Sequence, residues 1–473
     1  MGQEITDSHF TPADFDAFAE RLRQETELLS SWFQNGHFNE TSNVGGFELE
    51  SCLVDNSLRP APIIDPFLAR LNDELVVPEL ATFNLELNGS PCALNGNALS
   101  SLRNELKETW DHCGRVAGEM NARVAMIGIL PTIEGGDLTL DNMSPLHRYH
   151  ALNEQVLRQR GGRPLELNVT GSDSSLHLTH DDVMLESAAT SFQIHLKINA
   201  SEGARFYNAS KIISGPMVAV CANSPYLFGH DLWDETRIPL FEQAVSVGGT
   251  KKTKRVSFGV RYAHESIMEC FEANLERYPI LLPRVTDEPL EALTHLRLQN
   301  GTIWRWNRPL IGFDESGEPH LRIEHRVAPA GPSIDDAIAN AAFYFGAVCS
   351  LARQPNPPES QLVFKAAKEN FYRGAKQGLR AEMQWLDGQQ HPVSELCLKK
   401  LLPMARDGLR SMDIDKSEID DWLGIIEARV ATGRNGAVWQ RSWVKENGMD
   451  MAALTQAYLE CQDSGALVHE WPI

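Results

Sequence analysis

Cysteine is scarce in this chain: eight residues in 473, with no C-x-x-C pair among them. That excludes a disulfide scaffold and a zinc knuckle, and suits a reducing, cytoplasmic compartment. Long apolar runs are missing too, and none approaches the ~20 residues that a membrane-spanning helix needs. The opening MGQEITDSHF has no basic stretch leading into an apolar one, so it does not read as a secretory signal. Met1-Gly2…Thr6 fits the myristoylation pattern, but the pattern is common by chance and an ordinary N-terminus is expected. Positive charge is in deficit: Lys+Arg is 43 against Asp+Glu 64, a formal net charge of −21. Such a surface repels nucleic acid and anionic membranes. The one basic run, Lys251-Lys252-Thr253-Lys254-Arg255, is expected to be a solvated loop. Phosphate-binding loops are absent as well: there is no G-x-x-x-x-G-K-[ST] and no strand-linked G-x-G-x-x-G.

What remains is a globular composition, 42% hydrophobic and 23% charged. Apolar spacing predicts helices over 11–33, 97–120, 145–160, 206–222 and 333–352. Period-two alternation predicts strands over 47–54, 81–88, 190–198 and 320–328, and 122–130 reads as a buried strand. Gln354-Pro355-Asn356-Pro357-Pro358 is linker-like. The pattern therefore divides into an α+β core over 1–353, with an N-terminal helix, and a helical region over 354–473 packed on it.

Side chains at i and i+2 of a strand share a face. Glu48 and Glu50 lie together, as do Gln193 and His195, and Arg322, Glu324 and Arg326; Glu86 sits on a fourth strand with Glu79 seven residues earlier. Solvated outer faces are the ordinary explanation for any one of these pairs. Solvated faces also carry Lys, Thr and Ser, however, and here Glu, Gln, His and Arg dominate. Two carboxylates about 4 Å apart repel by roughly 4 kcal/mol at an effective dielectric near 20. Converging carboxylates stay ionised only with cations between them, and oxygen donors with one imidazole suit Mg²⁺ or Mn²⁺. The arginines beside them offer forked donors to phosphate or carboxylate. Metal-assisted phosphoryl chemistry is the expectation.

Several short motifs, in order, resemble the glutamate–cysteine ligase family, in the branch of bacterial carboxylate–amine ligases. They are Gly46-Phe47-Glu48-Leu49-Glu50, Arg148-Tyr149, Gln193-Ile194-His195, Ala222-Asn223-Ser224-Pro225-Tyr226 with Arg237, Arg308-Pro309, Arg322-Ile323-Glu324-His325-Arg326 and Asn370…Gly378-Leu379. Leu130-Pro131-Thr132 departs from the branch's T-H-P turn, and Lys376 stands where Arg is commoner. The resemblance implies a curved, mostly antiparallel sheet of the glutamine-synthetase catalytic type with flanking helices. It also implies ATP and Mg²⁺, with Mn²⁺ an alternative. Glu48, Glu50, Glu79, Glu86, His195 and Glu324 would be metal ligands. Arg326, Arg237 and Arg308 would meet the transferred phosphoryl group or other anions. Gln193, Arg322 and Lys376 would contact the nucleotide.

The implied reaction is ATP-dependent amide formation through an acyl phosphate, joining glutamate to an amine such as that of cysteine. The alternatives are another acid–amine pair, a phosphotransfer on the same scaffold, or a silent nucleotide- or metal-binding homologue. The partners expected are these small molecules, with a homodimer allowed, and neither nucleic acid nor membrane. Cys52 is expected to be a small buried residue, and His147, His150, His177, His180 and His325 to be exposed or capping, with His177 and His180 flanking a loop. Trp304 and Trp306 are expected to be buried aromatics.

Overall fold

The computed structural model describes residues 10–41, 43–172, 174–248 and 253–473. The myristoylation pattern and Lys251-Lys252 lie outside them. Helix α1 (Pro12–Asn35) starts where expected: Pro12 opens it, and Asp14 accepts from the Thr11 amide at 2.7 Å and from its hydroxyl. Gly36, at φ 67°, ends it in the left-handed conformation that glycine adopts most readily.

The main sheet collects β1 (Val44–Asp55), β2 (Val76–Pro78), β3 (Asn84–Asn88), β4 (Cys92–Ala93), β5 (Ala122–Ala125), β6 (Phe192–Ile198), β7 (Asn307–Phe313) and β8 (Pro319–His325). Their order is β7-β8-β6-β1-β3-β2, every pairing is antiparallel, and β4 and β5 also pair with β1. At twelve residues β1 is long enough to hold two partners along each edge: β6 then β5 on one, β4 then β3 on the other. That branching curls the sheet. The predicted strand over 122–130 shortens to β5 for a specific reason. Past Ala125 the backbone finds other partners: Met126 N donates to Gln462 Oε1 at 2.8 Å, and Met126 O accepts from Tyr458 Oη at 2.8 Å.

Helices flank this sheet: α2 (Ala98–Glu119), α3 (His147–Gln159), α4 (Gly203–Cys221), α5 (Arg237–Ala244), α6 (Met268–Arg277), α7 (Thr294–Gly301) and α8 (Ile334–Ala352). The last two long core helices, α4 and α8, are buried almost all round, as a helix under a sheet and a second layer must be. That second layer includes α9 (Phe364–Gln377), α10 (Leu402–Arg410), α11 (Lys416–Thr432), α12 (Gly436–Asn447) and α13 (Met451–Ser464). Two glycine pairs let it approach. A Cβ built on Gly374 would sit 2.6 Å from the Gly215 carbonyl, and one on Gly408 would run into the Gly346 carbonyl. The C-terminal region also carries a small hairpin, Glu382–Gln384 with Gln390–Pro392.

Three local expectations are corrected. His177 and His180 lie on a strand, Ser175–His180, paired with Leu165–Thr170, not beside a loop. His325 is fully buried and stacks on Tyr344 at a centroid distance of 4.3 Å. Arg255 does not end a solvated run: it is 1% exposed and donates to the Thr302 carbonyl and hydroxyl at 3.0 Å. Cys52 is buried as expected, and burial pushes its thiol up to about 12. No helix among the described residues is long and apolar enough to cross a membrane.

Candidate active site

Strand register decides which side chains meet. Glu324 on β8 stands opposite His195 on β6 and opposite Arg308 on β7. Glu48 on β1 faces Gln193, and Glu50 faces Glu86 on β3. One inner face of the sheet thus carries a row of ligating groups drawn from five strands. Glu48, His195 and Glu324 are all buried, and each offers an atom within 4.8 Å of the others. The His195 Nε2 lies 3.5 Å from Glu48 Oε1 and has no hydrogen-bond partner among the described residues. An unpartnered buried nitrogen between two carboxylates fits a divalent cation. Burial holds His195 down at about 4, so the ring is neutral at physiological pH and able to ligate.

Glu324 is anchored from the other side. Arg308 donates to it through Nε at 2.9 Å and Nη2 at 2.7 Å, and Arg326 through Nη1 at 3.1 Å. Burial opposes its charge, but these two guanidiniums outweigh burial and hold the carboxyl well below the usual range. Gln193 works as a spacer: its Nε2 donates to Glu50 Oε1 at 2.8 Å, and its Oε1 accepts from Arg326 Nη1 at 2.5 Å. Arg322 lines the same cleft, with Nε donating to His195 Nδ1 at 3.2 Å.

The far end of the cleft is acidic. Glu50 is pushed up to about 7 by burial and by the charge of Glu79. Glu86 lies well above its ordinary value, through burial and then the charges of Glu48 and Glu79, and its Oε1 has no hydrogen-bond partner among the described residues. Glu79 accepts from Tyr149 Oη at 3.2 Å, and Tyr149 Oη accepts in turn from Arg148 Nη2 at 2.7 Å. Between the two ends runs an apolar wall that includes Phe241, Leu282, Leu296, Trp304 and Ile311.

Of the twelve residues singled out from the sequence, ten converge on this face: Glu48, Glu50, Glu79, Glu86, Gln193, His195, Arg308, Arg322, Glu324 and Arg326. Two do not. Arg237 is buried on α5, and its guanidinium is spent on Glu235 Oε1 at 3.1 Å, the Arg326 carbonyl at 3.2 Å and the Val327 carbonyl. Each of its three nitrogens is bonded within the protein, so it supports the segment behind Arg326, and it does not line the cleft. Lys376 is exposed at the last turn of α9 and does not line the cleft. Arg308 lines the cleft, yet its fork is occupied by Glu324. Trp306 is buried, donating to Glu242 Oε1 at 3.0 Å, whereas Trp304 faces the cleft.

Sequence reading missed Glu186 and Arg297, both lining the cleft. Burial, then the charges of Glu79 and Glu50, push Glu186 up to about 8. It sits on a short 3-10 turn, Val183–Ala188, and Arg297 on α7; neither has a periodic neighbour of like chemistry.

A curled antiparallel sheet thus presents carboxylates, an imidazole and guanidiniums on its inner face, and the family model that matches this chain is that of a ligase family. The chain belongs to glutamate-cysteine ligase family 2, whose family model matches residues 44–460. Its fold is similar to that of glutamate–cysteine ligase from Francisella tularensis, solved in complex with AMP: TM-score 0.54 at 11% identity, covering 92% of this chain and 96% of that one. It is also similar to a bifunctional glutathione synthetase from Pasteurella multocida: TM-score 0.56 at 12% identity, covering 94% of this chain and 56% of that longer one. No individually curated protein sequence matches it.

Proposed function

We propose that this protein is an ATP-dependent carboxylate–amine ligase that joins glutamate, through its γ-carboxylate, to the amine of cysteine. The observation that carries this reading is the buried Glu48–His195–Glu324 trio with Arg326 beside it. Family membership and the fold shared with an AMP-bound glutamate–cysteine ligase support it.

The chemical obstacle is charge. An anionic carboxylate must approach an anionic triphosphate, so the site has to neutralise both. Glu48, His195 and Glu324 would hold one Mg²⁺ or Mn²⁺, and Glu50, Glu79 and Glu86 further ions, with Glu186 beside them. Cations held by these residues would supply charge neutralisation for a bound triphosphate. Arg326, held in place by Glu324 and Gln193, would meet the charge that develops on the transferred phosphoryl group. Arg308 acts only through Glu324, which it fixes in one orientation. A ring that ligates through Nε2 carries its proton on Nδ1, so Arg322 must release that nitrogen and can then turn to an anion in the cleft. The substrate carboxylate attacks the γ-phosphorus, ADP leaves, and the amine displaces phosphate from the acyl phosphate. The apolar wall keeps water from that intermediate. The reaction belongs in the cytoplasm, where eight unpaired cysteines stay reduced.

The test is product mass after incubation with ATP, Mg²⁺, glutamate and cysteine, with ADP release followed across panels of acids and amines. γ-Glutamylcysteine formed only when all four components are present supports the reading. ADP release that depends on a different acid or amine would replace the substrate pair. Full turnover by a Glu48→Gln, Glu50→Gln protein would remove the metal assignment.

A further inference from the structure

A second polar cavity lies outside the cleft and shares no lining residue with it. It encloses about 50 Å³. One water needs about 10–15 Å³ by the same measure, so the space suits a ligand of a few heavy atoms. Arg305 forms its deep wall and is 5% exposed. The Arg305 Nη2 donates to Asn274 Oδ1 at 2.7 Å, and its guanidinium lies 5.3 Å from the centre of the Tyr278 ring. Its Nη1 is buried and has no hydrogen-bond partner among the described residues, with Cys270, Tyr278 and Tyr207 as the polar groups around the guanidinium.

The surroundings are cationic. Lys211 on α4 is 1% exposed, and its ammonium donates to the Phe258 carbonyl at 2.6 Å. It stands directly behind the cavity floor, because a Cβ built on Gly259 would lie 3.0 Å from its Nζ. Arg255 lies 6.0 Å from the other contact of Arg305, the Tyr278 ring. The one carboxylate on the wall, Glu269, is already committed to Arg261 and to the amides of His264, at 2.8 Å, and Glu265, at 2.9 Å. Burial, then the charges of Arg305 and Lys368, push Lys211 down to about 7 against the opposing effect of Cys270. Cations withdrawn from water without a counter-charge are costly, and an anion that enters removes that cost.

We propose that this cavity is a separate anion site that takes one tetrahedral oxyanion, either free phosphate or the terminal group of a phosphomonoester. Arg305 Nη1 is its principal donor, and the Lys211 and Arg255 charges hold the anion at longer range. The reading does not depend on the activity assigned to the cleft.

The experiment is equilibrium dialysis of labelled inorganic phosphate against the full chain at constant ionic strength. The unaltered protein, Arg305→Gln and Arg326→Gln are compared. Arg326→Gln should keep a phosphate site, and Arg305→Gln should weaken binding at least tenfold. Equal binding by Arg305→Gln, or loss of all binding in Arg326→Gln, overturns the proposal. Arg305 also touches Asn274 and Tyr278, so its replacement can disturb folding. Crystals of the unaltered protein soaked in arsenate supply a second measurement. An anomalous peak within hydrogen-bond distance of Arg305 Nη1 supports the site, and peaks confined to the cleft refute it. A Cys270 thiol alkylated equally fast from pH 6 to pH 8, unslowed by phosphate, would make that thiolate the counter-charge and also refute it.

Discussion

Gln193 keeps Glu50 and Arg326 4.0 Å apart and bonds to both, so neither is free to collapse onto the other. On the proposed function, Arg326→Ala removes the donor to the developing charge, and ADP formation should fall by about 10²–10³-fold. Glu324 keeps its bidentate hold on Arg308, so the melting temperature of that variant should move little. A large drop in melting temperature with normal specific activity would contradict the role. Proton linkage gives a second test. Glu50 and Glu186 sit at about 7 and about 8, above their ordinary value of 4.5. Between roughly pH 5 and 8 the folded chain holds protons that the unfolded chain has released, so stability falls as pH rises through that window. Each group contributes up to about 1.4 kcal/mol per pH unit. Melting in EDTA should therefore decline from pH 5.5 to pH 8, and Mg²⁺ should stabilise more at pH 8 than at pH 6. Glu186→Gln should flatten the EDTA profile. Glu48, Glu50, His195, Glu324 and Arg326 were readable because alternation puts chosen residue types on one face. Arg237 does not join them, because residue type says nothing of what a guanidinium is already bonded to, and Glu186 had no pattern to betray it.

Among the elements, α1 is tied to the site from a distance of 270 residues. Its fully buried Glu25 accepts from His295 Nδ1 at 2.6 Å and from Leu296 N at 2.7 Å. Leu296 and Arg297 line the cleft. Glu25→Ala leaves both donors unpaired and should cost about 3 kcal/mol in urea unfolding. It should also raise KM more than it lowers kcat, since the wall shifts while the trio stays. Periodicity located α1 and α2 because one face of each is apolar over several turns, and α4 and α8 because they are apolar almost throughout. It overran β5, whose continuation is satisfied by side chains of α13, and it passed over the hairpin at 165–180. Partners supplied by remote helices leave no local signal.

For the whole molecule, the linker-like proline run suggested a boundary, yet close contacts cross it. Gly215 meets Gly374, and Gly346 meets Gly408, at distances that admit no added carbon. Gly408→Val should cost at least 1–3 kcal/mol by overpacking. A chain ending at residue 353 should be insoluble or molten, because α4 and α8 would lose the layer that covers them; near-ultraviolet circular dichroism of the truncated protein checks this. The order of the strands was not readable from spacing, since register depends on which distant segments find each other. It has a practical outcome for redesign. The residues proposed to handle phosphate hang mostly on a ladder of backbone bonds, while much of the greasy lining comes from the long excursion between β6 and β7. Grafting that excursion from a homologue of different selectivity should exchange what is recognised and leave the machinery of group transfer where it stands.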